Sequence, residues 1–133
     1  MKPHNLPDVK DKILESVRQM NIKDKDSDDG YRILVDRIWP RGIVKSKVDL
    51  WLKDIAPSAE LRKWYDHVNE RYCPFKILYT KELNVNEFTL EFINICKKHL
   101  LYENVTLLYA AHSEKENNAI ILREWIQNRM LLL

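Results

Sequence analysis

Glycine is almost missing from this sequence: Gly30 and Gly42 are the only two in 133 residues. The glycine-rich phosphate loop and the dinucleotide fingerprint each need several glycines, because the backbone itself must approach the phosphates. Both cofactor modes are excluded on that count, and no cofactor is implied. Cysteine is equally scarce. Cys73 and Cys96 lie far apart and outside any C-x-x-C pattern, so free thiols in a reducing cytoplasm are expected. Long apolar runs are absent too: none nears the roughly 18 residues of a membrane helix. The opening Met1-Lys2-Pro3-His4-Asn5 lacks the apolar stretch of a signal peptide. These absences predict a cytoplasmic protein with no membrane partner. Nor does one sign of charge dominate. The 22 Lys and Arg face 20 Asp and Glu, too even a balance to mark a nucleic-acid binder by charge alone.

What is present is a core. Hydrophobic residues make up 45% of the chain, enough for one folded domain over residues 1–133, with 1–12 read as a polar arm. Val9, Ile13, Val17 and Met20 recur at helical spacing after a cap at Asp8. The Asp-rich run from Lys23 to Gly30 is turn chemistry and reads as an exposed loop; it lacks the ligand order of a calcium loop. Tyr31 to Ile38 reads as a strand that Pro40 ends. The two glycines bracket this strand and its exit turn, Trp39-Pro40-Arg41-Gly42. A short helix is expected over Val48–Ile55. Another follows Ser58 as N-cap, with Leu61, Trp64, Tyr65 and Val68 inward. Helices through Phe75–Leu83, with Pro74 in the first turn or at a kink, and through Phe88–His99 come next. Val105–Ala111 is nearly all apolar, as in a strand buried on both faces. The capping box Ser113-Glu114-Lys115-Glu116 then opens a last helix with Ala119, Leu122, Trp125, Ile126 and Met130 inward. Two good strands separated by a long helical connection predict an α/β fold: a small, mostly parallel sheet flanked by helices.

In such a sheet ligands bind beyond the carboxyl ends of the strands. If the two strands are parallel neighbours, Arg37, Trp39 and Arg41 share one edge with His112 and Ser113. The N-terminus of the last helix opens on that same edge, a phosphate or carboxylate site in outline. His67, His99 and His112 have no metal-ligand spacing. Cys73 sits near Arg71 and His67 but in no Cys–His motif of general meaning, so it is read as incidental.

Three segments resemble one family. They are Asp29–Gly42; Trp51–Ser58 running on to Glu60–Trp64; and Thr106–Ala111 with Asn117, Ala119 and Leu122–Trp125. Over about residues 20–130 the chain is similar to the domain of unknown function 488 family, in its short YeaO-like branch. The resemblance implies a compact α/β fold with a small, mostly parallel sheet, and no activity. An old uroporphyrin methyltransferase label on similar proteins does not suit a chain without the glycine-rich loop. The family pattern would make residues 14–22 a strand, against the helical spacing above. Many relatives carry Asp and His where Ser113 and Glu116 stand, so a mechanism needing that His has no support in this chain. Leu78 stands at a commonly basic position, and Pro74 is unusual there.

The leading expectation is a small anionic or phosphate-bearing ligand bound at the sheet edge. Arg37 and Arg41 clamp the charge, Trp39 walls the pocket, and Lys53 and Arg62 reinforce it. Asp36 orients an arginine, and His112, Ser113 and Asn117 contribute from the last loop. Catalysis on that ligand is left open. Nucleic-acid binding is the first alternative: residues 31–76 hold ten Lys or Arg against six Asp or Glu, interleaved with Trp39, Trp51, Trp64, Tyr65 and Tyr72. Most of those aromatics fall at core spacing, which weakens that reading. A partner protein whose arginines only knit the fold is the second alternative. Nothing in the sequence fixes an oligomeric state.

Overall fold

The computed structural model describes residues 5–132 and the side chains of residues 11–131. Its elements run α1 (Asn5–Ser16), β1 (Val17–Asn21), β2 (Tyr31–Leu34), β3 (Leu50–Trp51), α2 (Ala59–Tyr65), α3 (Tyr72–Val85), α4 (Thr89–Leu100), β4 (Val105–Tyr109) and α5 (Asn118–Leu132). Four strands form one all-parallel sheet in the order β1-β4-β2-β3.

The apolar run that marked β4 lies at the sheet's centre, buried at every residue. It pairs with β1 from Val17↔Val105 to Asn21↔Tyr109, and with β2 from Tyr31↔Val105 to Leu34↔Leu108. Side chains alternate across the sheet. One face buries Ile33, Val35, Leu107 and Tyr109 beneath Leu61, Phe75, Tyr79, Phe92, Leu122 and Ile126 of α2–α5. The other face carries a smaller cluster, Ile22, Leu34 and Leu108, covered by Met20, Trp39, Ile43 and Val48. Helices therefore cover one face and the loop after β2 covers the other.

Residues 9–22 satisfy both readings in turn. The helix stops at Ser16 and the chain continues as β1, because five consecutive residues find a parallel partner in β4. Residues 5–12 of the expected arm belong to α1, and residues 1–4 lie outside the described residues. The short helix expected over Val48–Ile55 is instead β3 followed by a 3-10 turn over Lys53–Ile55. A two-residue strand has no period to read. Long-range bonds hold it: Asp49 N–H to the Arg32 carbonyl at 2.9 Å and Leu52 N–H to the Leu34 carbonyl at 2.9 Å.

Ser58 caps α2 as expected, its Oγ accepting from Leu61 N–H at 3.1 Å. Glu82 fixes that hydroxyl, receiving a 2.6 Å bond from Ser58 Oγ. The helix is shorter than its apolar stripe. It ends at Tyr65, Asp66 and His67 turn left-handed at φ 45° and 56°, and Trp64 stays exposed. Pro74 occupies the first turn of α3, where its missing N–H costs nothing. The last helix begins four residues later than its capping box implies. Ser113 Oγ accepts from Lys115 and Glu116 N–H within a local turn, and buried Asn117 is the true cap, its Oδ1 accepting from Ile120 N–H at 3.0 Å.

Candidate functional site

Parallel pairing of β2 with β4 puts the exits of both strands on one edge. A cleft of about 690 Å³ opens there, within the several-hundred-Å³ range of small-molecule sites. The β2 exit contributes Asp36 to Arg41, the β4 exit Ala110 to Ser113, and the start of α5 Asn117 and Asn118; Arg62, Tyr65 and His67 arrive from the end of α2. Eight of the nine residues expected at the site line this cleft: Asp36, Arg37, Trp39, Arg41, Arg62, His112, Ser113 and Asn117. Lys53 does not. Its Nζ stands 5.4 Å from the centre of the Trp51 ring, a cation–π contact outside the lining.

The turn after β2 is built by its own residues. Ile43 N–H reaches the Pro40 carbonyl at 3.4 Å, and Gly42 takes φ 81°, the positive value a type II turn requires at its third position. Trp39 Nε1 donates to the Ile43 carbonyl at 2.9 Å and closes the same turn. The ring of Trp39 meets Trp51 edge-on, 5.5 Å between centroids. Arg41 is thereby held at the tip of a braced turn, exposed at the cleft mouth.

The arginines divide sharply. Arg37 donates from Nε to the Pro57 carbonyl at 3.1 Å and from an Nη to the Ala56 carbonyl at 3.4 Å. It ties β2 to the segment before α2, a structural duty that also places one edge of its side chain in the cleft. The chain has eight arginines. Six of them, Arg18, Arg32, Arg37, Arg71, Arg123 and Arg129, have side-chain hydrogen bonds. Among the described residues, Arg41 and Arg62 are the two whose guanidiniums have neither hydrogen bond nor ion pair, and both line the cleft.

Asp36 does not orient an arginine. Its Oδ2 accepts the Ala110 N–H at 2.9 Å, and Asn118, whose own Nδ2 bonds the Val35 carbonyl at 3.0 Å, hydrogen-bonds it as well. The carboxylate thus joins the ends of β2 and β4 to the start of α5. Burial raises its pKa above the ordinary 3.8, against the opposing pull of the Ala110 and Asn118 bonds and of the Arg62 and His67 charges. A carboxyl that holds its proton more tightly folded than unfolded opposes folding once ionised. That unfavourable contribution is full above the raised pKa and disappears as pH falls below 3.8. Asp36→Asn, which keeps a carbonyl acceptor for Ala110, should therefore melt higher than the parent at pH 7, with the difference closing by about pH 3.5. Parallel melting curves at the two pH values check this, and a variant less stable at both would show that the charge itself holds the strand ends.

The expected pairing of an anion with the N–H groups after Ser113 meets an occupied backbone at Lys115 and Glu116. Asn117 is likewise engaged, with Nδ2 on the Ser113 carbonyl at 3.0 Å and its own carbonyl accepting from Tyr72 Oη at 3.1 Å. Burial pushes the Tyr72 hydroxyl to about 12, so it serves there as a donor. Cys96 is buried, its thiol likewise pushed to about 12, and Cys73 is exposed away from the cleft lining.

Four polar lining residues, His67, Asn69, Glu116 and Asn118, were not among those expected from the sequence. His67 reaches the cleft only because α2 breaks into the left-handed pair Asp66-His67. No glycine marks that break, and the tolerance of Asp for the conformation is the one local hint. Asn118 needed the later start of α5. Among the described residues, no three His, Cys, Asp or Glu side chains gather as a metal-binding group.

The family model described as "Inactive DUF488-N3 subclade" matches residues 16–131. The uncharacterised protein YeaO of Escherichia coli (strain K12) is 43% identical over 103 residues, covering 75% of this chain and 86% of that protein. The uncharacterised protein Rv3073c of Mycobacterium tuberculosis (strain H37Rv) is 38% identical over 109 residues, covering 80% and 89%. The uncharacterised protein Mb3100c of Mycobacterium bovis matches to the same extent. No solved structure matches the chain. With the match spanning every strand of the sheet and the whole cleft, the chain belongs to the DUF488 family, in the subclade described as inactive DUF488-N3.

Proposed function

We propose that this protein binds a small phosphate-bearing or otherwise anionic ligand in the cleft beyond β2 and β4, and that it binds without turning the ligand over. One observation carries the reading: the two arginines without a protein partner among the described residues, Arg41 and Arg62, both line the cleft. Exposed guanidiniums at the mouth of a preformed concavity are well suited to a phosphate or carboxylate. The word "inactive" in the family description favours binding over chemistry, as does a β4–α5 loop whose serine is taken up as a turn acceptor. A cytoplasmic setting is part of the same reading. It is supported by two free cysteines and by the lack, among the described residues, of a helix long and apolar enough to cross a membrane.

Arg41 and Arg37 separate this reading from a purely structural one. Arg41→Ala should leave the melting temperature within about 2 °C and weaken pyrophosphate binding roughly 10- to 100-fold. That is the range set by one charge-assisted hydrogen-bonding group worth about 1.5–3 kcal/mol. Arg37→Ala should instead destabilise the fold by about 1–3 kcal/mol through the two carbonyls it releases. Calorimetric titration with pyrophosphate and thermal melts of the three proteins decide the matter. If Arg41→Ala melts lower and the parent binds no pyrophosphate, the arginines only knit the fold.

A further inference from the structure

Arg41, Arg62 and His67 are exposed at the cleft's mouth, Asp36, Arg37 and Glu116 are part-buried, and Ala56, Pro57, Tyr65 and Phe75 are buried in its wall. Arg37 is already tied to the Ala56 and Pro57 carbonyls. An inorganic anion would use the mouth alone and leave most of about 690 Å³ unfilled. A sugar phosphate would bring many hydroxyls to a wall made largely of alanine, proline and aromatic rings, where unpaired polar groups are costly. The interior suits a flat, mostly apolar group, and the Asp36 carboxylate suits N–H donors on that group's edge. Asp36 has acceptor capacity left after the Ala110 and Asn118 bonds.

We propose that the ligand is a phosphomonoester of an N–H-bearing heterocycle, a nucleoside 5′-monophosphate in chemical class, with its ring in the apolar interior, N–H donors on Asp36 and its phosphate at Arg41 and Arg62. This rests on the anion-site reading above and adds the half of the ligand that the mouth does not see. Burial that disfavours the Asp36 charge makes a donor pair from a ligand more valuable there. The same chemistry is offered by a free mononucleotide or by the 5′-phosphorylated end of a single strand.

Titrations with inorganic phosphate, ribose 5-phosphate, guanosine, guanosine 5′-monophosphate and a 5′-phosphorylated trinucleotide test it. The mononucleotide should bind at least 10-fold more tightly than phosphate, ribose 5-phosphate or guanosine. Asp36→Asn should reduce that nucleotide-to-phosphate ratio by about 10-fold or more. A trinucleotide that binds more tightly still, with the same dependence on Asp36, would identify a strand end as the source; one that binds more weakly would identify the free nucleotide. If phosphate binds and the nucleotide gains nothing over it, or if the ratio survives Asp36→Asn, the ring placement is wrong while the anion site stands. If neither phosphate nor nucleotide binds, both readings fall.

Discussion

Replacing Arg32 by methionine is expected to cost about 3–5 kcal/mol of stability, because it strands a buried carboxylate. Arg32 is 4% exposed and Asp29 2% exposed, and the two form a short ion pair. The guanidinium also donates from Nε to the Lys47 carbonyl at 2.8 Å, and from Nη2 to the Asp24 carbonyl at 3.0 Å. One side chain thereby pins the Asp-rich loop and the segment before β3 to the loop-covered face of the sheet. Asp29 in turn accepts the Asp26 N–H at 2.9 Å. Removing the arginine leaves the buried Asp29 carboxylate without its cationic partner, and also frees the Lys47, Asp24 and Ile22 carbonyls, whereas a matched apolar pair carries no such charge. Arg32→Met should accordingly lower the melting temperature by roughly 10–20 °C for a domain of this size. Adding Asp29→Leu to Arg32→Met should recover part of that loss. Denaturant titrations of the two variants measure it; a single-variant loss below about 1 kcal/mol would mean that water already solvates the pair.

The second large effect is expected at Gly30, and the chain's other glycine supplies the control. Gly30 has φ 65°, and a Cβ there would lie 2.1 Å from the Asn104 carbonyl oxygen. That carbonyl accepts the Tyr31 N–H that starts β2 beside β4. Gly30→Ala adds left-handed strain of about 1–2 kcal/mol to a backbone clash that only moving a strand end can relieve, so a loss of about 3 kcal/mol or more is expected. Gly42 has φ 81° with no atom within 4 Å of its added Cβ. Gly42→Ala should therefore cost only the conformational part, about 1–2 kcal/mol. Similar losses at the two positions would show that Asn104 moves aside freely.

These two residues also show what the sequence made legible. The glycine pair marked the start of β2 and the turn at Gly42, because φ above zero is a local demand that few other residues meet. The strand itself stops at Leu34, four residues short of the expected Ile38. The pairing of Asp29 with Arg32 was invisible. An i, i+3 pair across a non-helical turn has no signature, and an Asp-rich run reads as solvated until one member is seen buried. β4 was plain because a centrally placed parallel strand is apolar along its whole length, while β3 is held by Asp49 and leaves no pattern in two residues. At the cleft, the shared edge of β2 and β4 followed from strand order and brought in Arg37, Trp39, Arg41, His112 and Ser113. The distinction between the tied Arg37 and the unpartnered Arg41 did not follow, since it depends on where the Ala56 and Pro57 carbonyls fall. His67 and the true cap Asn117 depended on helix ends, whose positions are set by tertiary contacts rather than by the local code.

The most direct measurement is a map of backbone amide shifts on the labelled protein during titration with inorganic phosphate. A ligand held at the cleft mouth should move the resonances of Arg41, Gly42, Arg62 and His67 together, along one saturating curve, and leave those of α4 in place. Shifts scattered over the surface lysines, or none at Arg41 and Arg62 at saturating phosphate, would contradict an anion site at this edge of the sheet.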